Sequence, residues 1–138
     1  MKLVQGRKIW DATRISDREF TRIEDPGIIR LKGYWYCSVK ESPSHNPHPL
    51  SRGRIIRSVD GEQWETVKLL EWDAGSMAAG LSITAEGMLM ASTGLYFVSK
   101  EPKGATLYRT RDGKNWRVLL ELEELSARIA MTAVRHCF

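Results

Sequence analysis

The stretch Ser58-Val59-Asp60-Gly61-Glu62-Gln63-Trp64 recurs 52 residues later as Thr110-Arg111-Asp112-Gly113-Lys114-Asn115-Trp116. An aspartate at the start of a turn accepts backbone N–H groups, and a hydroxyl two residues earlier can join it. Glycine supplies a positive φ, and tryptophan buries a large apolar ring over the hairpin with its indole N–H near the turn's edge. The repeat therefore predicts two equivalent hairpin turns in which the recurring residues have structural roles. These residues are Ser58, Asp60, Gly61, Trp64, Thr110, Asp112, Gly113 and Trp116.

A second repeat lies upstream of each turn. Residues 29–38 align with residues 83–92 at an offset of 54, and the two-residue difference falls in the longer first loop, residues 41–52. Runs of β-branched, aromatic and alternating apolar residues predict four strands in each unit. The predicted strands are 27–31, 34–39, 54–59 and 64–69, then 81–84, 88–98, 106–111 and 116–122. Four strands in about 50 residues are typical of a β-propeller blade.

The fold expected is all-β, with antiparallel four-stranded blades of an incomplete β-propeller in a single partial domain, residues 1–138. Blade one covers about residues 20–70, blade two about 76–123, and the first strand of a third blade about 127–138. Spaced apolar residues near the end also fit a helical face, which leaves an alternative for that segment. Two blades alone expose open sheet flanks, so we expect remaining propeller blades or self-association to cover them.

Composition narrows the classes of partner. The formal net charge of +4 is spread along 138 residues, so no nucleic-acid or membrane partner is expected. Cys37 and Cys137 lie 100 residues apart without a metal-binding spacing, and Cys37, in an apolar run, is expected to be a buried free thiol. The N-terminus has no apolar signal core, which predicts a cytoplasmic protein, or a secreted one if the N-terminus is incomplete. No cofactor and no metal are expected.

The two turn motifs resemble the Asp-box, or BNR repeat, of sialidases and related propellers, although each copy is one residue shorter than the commonest form. The resemblance implies a sialidase-like glycoside hydrolase acting on a carbohydrate, with the boxes on outer hairpins away from the active site. The family's later arginines and nucleophilic tyrosine come from blades beyond the second. A non-catalytic propeller that binds carbohydrate or protein is therefore the alternative.

Arg22 is the first candidate site residue. The stretch Phe20-Thr21-Arg22-Ile23-Glu24-Asp25-Pro26 resembles the Phe/Tyr-Arg-Ile-Pro motif of sialidases, with Thr21 and Glu24-Asp25 as insertions. The resemblance implies that Arg22 binds a substrate carboxylate through its guanidinium fork. The alternative is a surface arginine in a loop.

Asp25, Glu41 and His45 are the remaining candidates. Asp25-Pro26 resembles the start of five-bladed arabinanase/xylosidase-type propellers, which implies a general base at Asp25, although Asp-Pro is also an ordinary turn. Glu41 and His45 belong to a loop predicted over residues 40–49, and similar positions in sialidase-like propellers imply contact with a sugar hydroxyl or proton transfer. The alternative there is a proline-stiffened solvent loop. A metal held by His45 and His48 lacks an evident third ligand.

Overall fold

The computed structural model describes residues 22–44, 48–71, 75–95 and 104–123, and all of its regular structure is β. Each sheet has four antiparallel strands in sequence order, β1-β2-β3-β4 in sheet 1 and β5-β6-β7-β8 in sheet 2. The strands are β1 Arg22–Leu31, β2 Tyr34–Ser42, β3 Arg52–Ser58, β4 Glu65–Leu70, β5 Gly80–Ile83, β6 Leu89–Leu95, β7 Gly104–Thr110 and β8 Arg117–Glu123. The prediction of two consecutive four-stranded antiparallel units is confirmed. The predicted third-blade strand, residues 127–138, lies outside the described residues.

Two differences from the predicted strand boundaries bear on the candidate site. Strand β1 begins at Arg22, five residues earlier than expected, and its pairing with β2 shifts register between Glu24 and Gly27. Pro26, which lies inside that shift, has no N–H to donate to the ladder, so the irregularity falls where proline is tolerated. Strand β2 extends to Ser42, which makes Glu41 a strand residue and not part of the predicted loop.

Turn 58–64 joins β3 to β4 and is closed by the side chains that the sequence singled out. Asp60 Oδ1 accepts the backbone N–H groups of the two residues after the glycine, at 2.7 and 2.9 Å, and the Ser58 hydroxyl at 2.9 Å. Gly61 has a φ of 77° and donates its N–H to Ser58 Oγ at 2.8 Å. Trp64 Nε1 donates to the Gly61 carbonyl at 3.0 Å. The turn is therefore closed by hydrogen bonds among its own residues.

Turn 110–116 repeats this arrangement between β7 and β8, with two differences. Asp112 Oδ1 accepts the Thr110 hydroxyl at 2.9 Å and two following N–H groups, while Asn115 Nδ2 donates to Asp112 Oδ2 at 2.6 Å. Gly113 has a φ of 74°. The indole N–H of Trp116, however, is buried and has no hydrogen-bond partner among the described residues. The two tryptophans therefore share a place in sequence but differ in hydrogen bonding.

The two sheets pack face to face through an apolar core. Apolar side chains from both sheets form it, and partly buried residues such as Trp116 pack around its edge. Its buried members are Tyr36, Ile55, Leu70, Ala79, Leu89 and Ala91. A smaller cluster of Cys37, Val39 and Ile56, flanked by Trp64, lies on the opposite face of sheet 1. Cys37 is a buried free thiol, as the sequence predicts.

Polar contacts hold the sheets together at the edge that carries turns 58–64 and 110–116, which we call the turn edge. Arg57 Nη1 donates to the Asp112 carbonyl at 3.2 Å, and Lys32 Nζ donates to the next carbonyl upstream at 3.1 Å. Lys114 lies 3.8 Å from Glu65, which also accepts Arg57 Nε at 2.6 Å. The turn of sheet 2 is thus bound by side chains of sheet 1.

The opposite edge, called the loop edge, carries the start of β1 and β3 and the end of β2. Here the segment that enters sheet 2 crosses sheet 1. Ser76 N donates to the Ser51 carbonyl at 2.9 Å, and Ala79 N donates to the buried Ser38 Oγ at 2.7 Å. The described part of the chain has no helix long and apolar enough to cross a membrane.

Candidate functional site

The loop edge brings together the strands that carry the sequence candidates. Arg22 opens β1 and pairs in register with Ser42, and Ile23 is opposite Glu41. Asp25 lies within the register shift of β1. The side chains of Arg22 and Asp25 lie outside the described part of the structure, as does His45 altogether. The backbone therefore places Arg22 and Glu41 on adjacent strands at one edge, away from both Asp-Gly turns.

Glu41 is the centre of a buried charge cluster. It lies opposite Arg52 across the β2–β3 ladder, and Val39, two residues earlier, lies opposite Arg54. Glu41 Oε2 accepts Arg52 Nε at 2.7 Å, and Oε1 accepts Arg54 Nε at 2.7 Å. Arg54 Nη2 adds a third bond to Oε2 at 3.1 Å. The Glu41 side chain is 0% exposed and that of Arg52 is 1% exposed, so these ion pairs are shielded from solvent.

The cluster extends from this buried centre toward the surface. Arg54 Nη1 donates to Thr66 Oγ1 at 2.7 Å, and Arg52 Nη1 donates to Glu71 Oε1 at 3.3 Å. The Glu71 side chain is 44% exposed, just beyond the end of β4. The network thus joins three strands of sheet 1 and ends on an accessible carboxylate at the loop edge.

This geometry defines what Glu41 can do chemically. Both carboxylate oxygens are occupied by guanidinium donors, and charge-assisted bonds of this kind are among the strongest in proteins. A general acid or base must come within about 3 Å of the proton that it transfers. In this arrangement Glu41 holds Arg52 and Arg54 in place. The network reaches the surface at Glu71.

Sequence reasoning found Glu41 but missed its partners. From the sequence, Arg52 ends the longer loop of the first repeat and Arg54 begins a predicted strand, and neither has a predicted role. Their spacing of two residues is the available signal, because residues i and i+2 of a strand share one face. The identity of the face follows only from the β2–β3 register.

The histidine loop shows no metal-binding arrangement in its described part. His48 Nδ1 accepts the backbone N–H of Leu50 at 3.1 Å, which uses one ring nitrogen within the loop itself. Across residues 22–44, 48–71, 75–95 and 104–123, no three His, Cys, Asp or Glu residues gather in a way that could hold a metal ion.

The carboxylates of the two turns are occupied by their own backbones. The N–H groups of Gln63 and Glu62 and the Ser58 hydroxyl lower the pKa of Asp60 to about 2. The Asn115 side chain, followed by two backbone N–H groups, holds the pKa of Asp112 far below its usual range. Because these oxygens satisfy the turn, they are poorly suited to proton transfer near neutral pH.

Comparison with known proteins gives one informative result. No protein-family model matches the sequence, and no curated protein matches it. A solved structure titled "Sialidase" superposes on 70% of this chain with a TM-score of 0.53 at 16% sequence identity. The chain spans only 12% of the length of that sialidase. The likeness supports a sialidase-like β-fold for the two sheets.

Proposed function

We propose that this chain forms two blades of a sialidase-like glycosidase, and that its loop edge faces a carbohydrate. The observation that carries the proposal is the segregation of the two edges. Both Asp-Gly turns lie at the turn edge, whereas Arg22, Glu41 and the arginines of the charge cluster lie at the loop edge. Because Asp60 and Asp112 are hydrogen-bonded within their own turns, we place the chemistry at the loop edge.

Each candidate residue has a distinct role in this proposal. Arg22 binds a carboxylate of the substrate through its guanidinium fork. Asp25 acts as a general base, and His45 contacts a sugar hydroxyl or transfers a proton. Glu41 positions Arg52 and Arg54, because its oxygens are already bound to them. Further blades, supplied by a longer protein or by another copy, complete the carbohydrate site.

The test is hydrolysis of a panel of fluorogenic sialosides, arabinosides and xylosides by the full-length gene product, so that any further blades of the proposed site are included. Turnover of one glycoside, lost in Arg22→Ala and Asp25→Asn, is the expected result. Asp60→Asn is the matched control, because it removes a carboxylate at the turn edge and should leave the rate unchanged. Cleavage of arabinosides or xylosides alone would assign the arabinanase/xylosidase-type activity. No turnover of any glycoside would remove the enzyme proposal.

A non-catalytic carbohydrate-binding role is the second candidate, and one observation favours it. The single described carboxylate among the four candidate side chains, that of Glu41, is fully buried and bonded to two arginines. Titration of acidic and neutral oligosaccharides into the chain, followed by calorimetry, separates the two functions. Binding that Arg22→Ala weakens, without any hydrolysis, would support the binding role over the enzymatic one.

A further inference from the structure

A cavity of about 980 Å³ lies along turn 110–116 and is lined by residues of both sheets. Sheet 1 contributes Val67 and Lys68 of β4, and most of the other lining residues belong to the end of β7, the turn and the start of β8. The volume is that of a site for a small organic ligand, since such sites span about 300–1,000 Å³. The cationic side chains of the lining are Lys68, Arg109, Arg111, Lys114 and Arg117.

Positive charge is concentrated in this lining. Among the described lining residues Asp112 is the one carboxylate, and both of its oxygens accept hydrogen bonds from within the turn. Five cations against one carboxylate leave an excess of four, which equals the net charge of +4 of the whole chain. The sequence spreads its charges without a run of one sign, and the fold gathers the excess from β4, β7, the turn and β8 into one cavity.

Arg109 and Arg117 are the part of the lining that most needs a counter-charge. They lie opposite each other in the β7–β8 ladder, where like charges are destabilising. At the corresponding place in the first repeat, 52 residues earlier, Arg57 is opposite Glu65 and bonds it at 2.6 Å. Neither Arg109 nor Arg117 forms an ion pair with any residue that the structure describes. An anion in the cavity would supply the charge that Glu65 supplies in sheet 1.

Lys68 brings a third cation to the cavity from the other sheet. Its Nζ lies 5.0 Å from the ring centroid of Tyr108, so a cation–π contact holds the ammonium group without cancelling its charge. Lys68 forms no ion pair within the described part of the chain. Arg111 and Lys114, on the turn, each have an acidic neighbour. The lining cations without a described counter-ion are therefore Lys68, Arg109 and Arg117.

We propose that this cavity binds a small polyanion that carries two or more phosphate or sulfate groups. Arg109 and Arg117 bind one group together, because guanidinium forks match the oxygens of such anions, and Lys68 binds another as a point charge. The Trp116 ring, which lines the same cavity, packs against the body of the ligand. The site belongs to the turn edge and is independent of the carbohydrate site proposed at the loop edge.

The test is calorimetric titration of the full chain with two probes, inorganic tripolyphosphate and a tetrasulfated disaccharide. At least one should bind saturably at a single site, with an affinity that falls as salt is added. Arg117→Glu should weaken binding roughly tenfold or more, because it reverses a charge of the site. Lys68→Met removes the cation of the other sheet and should also weaken binding. Arg30→Glu, an exposed position on β1 outside the lining, is the control with the same change in net charge as Arg117→Glu and should bind like the wild type.

Arg117→Glu also separates binding from folding. The change recreates at Arg109 the ion pair that Glu65 forms with Arg57, so this variant should unfold at a higher urea concentration than the wild type while it binds less. A weaker affinity in a more stable chain is not the result of lost folding.

The two probes identify the source of the anion. Tighter binding of the disaccharide would indicate a sulfated sugar, and tighter binding of tripolyphosphate would indicate a phosphate anion. Three results would overturn the proposal: no saturable binding of either probe, wild-type binding by either Arg117→Glu or Lys68→Met, or a loss in Arg30→Glu as large as that in Arg117→Glu. The last result would mean that the probes respond to net charge alone and not to the cavity.

Discussion

The ring of Tyr36 lies against Gly113 and fills the space that a side chain at residue 113 would need. The two residues belong to different sheets and are 77 positions apart, so neither sheet can reach this packing alone. Glycine is thus favoured at residue 113 for two reasons, because φ is 74° and because the Tyr36 ring occupies the space of a Cβ. Gly61, its counterpart in the first turn, has a similar φ of 77° but no described neighbour in that place.

Gly113→Ala should therefore destabilise the fold more than Gly61→Ala. A non-glycine residue in the left-handed region costs about 1–2 kcal/mol, and this term is shared by both variants. Overlap with packed neighbours adds typically about 1–3 kcal/mol, and this term applies only at residue 113. Urea unfolding of the two variants measures the difference directly. Equal losses of unfolding free energy would show that the Tyr36 ring moves aside at little free-energy cost.

The turns and sheets follow from short-range patterns, which is why the sequence predicts them. The roles of Asp60, Gly61 and Trp64 depend on atoms within a few residues of each other, and the hydrogen bonds match the prediction. Repetition of the motif then predicts the second unit. Even so, no sequence signal indicates that the Trp116 indole N–H lacks a partner among the described residues, because Trp64 occurs in the same motif.

The charge cluster could not be predicted in the same way. Lys40-Glu41-Ser42 is a polar run before a proline, which indicates a loop by every local rule. Its burial depends on arginines 11 and 13 residues away, brought onto one face by the β2–β3 register. The β2–β3 register sets the environment of Glu41. The sequence indicates only that Glu41 follows the second predicted strand.

Acid should weaken the fold through the two turn aspartates. The pKa of Asp60 is about 2 in the folded chain, against an ordinary value of 3.8, and the pKa of Asp112 is lowered in the same direction. A lowered folded-state pKa stabilises the protein above the unfolded value, and this stabilisation is lost as the pH falls through the folded value. The thermal midpoint should therefore be flat with respect to these groups above about pH 4 and fall between pH 4 and 2.

The double variant Asp60→Asn, Asp112→Asn isolates this effect. An amide keeps an oxygen acceptor in each turn but does not titrate in this range. The variant should have a lower midpoint at pH 6 and a shallower decline between pH 4 and 2 than the wild type. A decline as steep as that of the wild type would assign the acid sensitivity to other carboxylates, such as Glu65, whose pKa is lowered by Arg57.

Trp64 and Trp116 occupy equivalent positions in the two turns, so a comparison of them measures the free-energy contribution of one hydrogen bond. Trp64 Nε1 donates to the Gly61 carbonyl at 3.0 Å, whereas Trp116 Nε1 is buried without a partner in the described ranges. Trp→Phe removes the N–H and a similar part of the ring at either position. A net hydrogen bond contributes about 0.5–1.5 kcal/mol, and an unsatisfied buried donor costs about 1–3 kcal/mol. Because the two contributions add, Trp64→Phe should be the more destabilising change by roughly 1.5–4.5 kcal/mol in urea unfolding.

The test has a clear contrary outcome. Equal losses for Trp64→Phe and Trp116→Phe, or a larger loss for Trp116→Phe, would mean that the Trp116 indole N–H is hydrogen-bonded in solution. Amide and indole proton exchange followed by NMR gives an independent measurement. The indole proton of Trp64 should be the better protected of the two relative to its exposure.

Removal of the charge on Glu41 should be among the most damaging single changes in sheet 1. Glu41→Gln preserves the shape of the side chain but removes the buried counter-charge that Arg52 and Arg54 share, and Arg52 keeps the half-exposed Glu71. Breaking a buried ion pair in this way costs about 3–5 kcal/mol, whereas replacing all of its members with apolar residues is often neutral or stabilising. The triple variant Glu41→Met, Arg52→Met, Arg54→Met should thus recover most of the unfolding free energy lost in Glu41→Gln.

Glu71→Gln is the control for this cluster, because its carboxylate is 44% exposed and bonds Arg52 at 3.3 Å. Exposed ion pairs contribute about 0–1 kcal/mol, so this variant should unfold at nearly the wild-type urea concentration. A loss below about 1 kcal/mol for Glu41→Gln as well would contradict a buried, fully paired carboxylate. It would instead indicate that water reaches Glu41 in solution, and a role for this carboxylate in proton transfer at the loop edge would then be favoured over one in positioning the arginines.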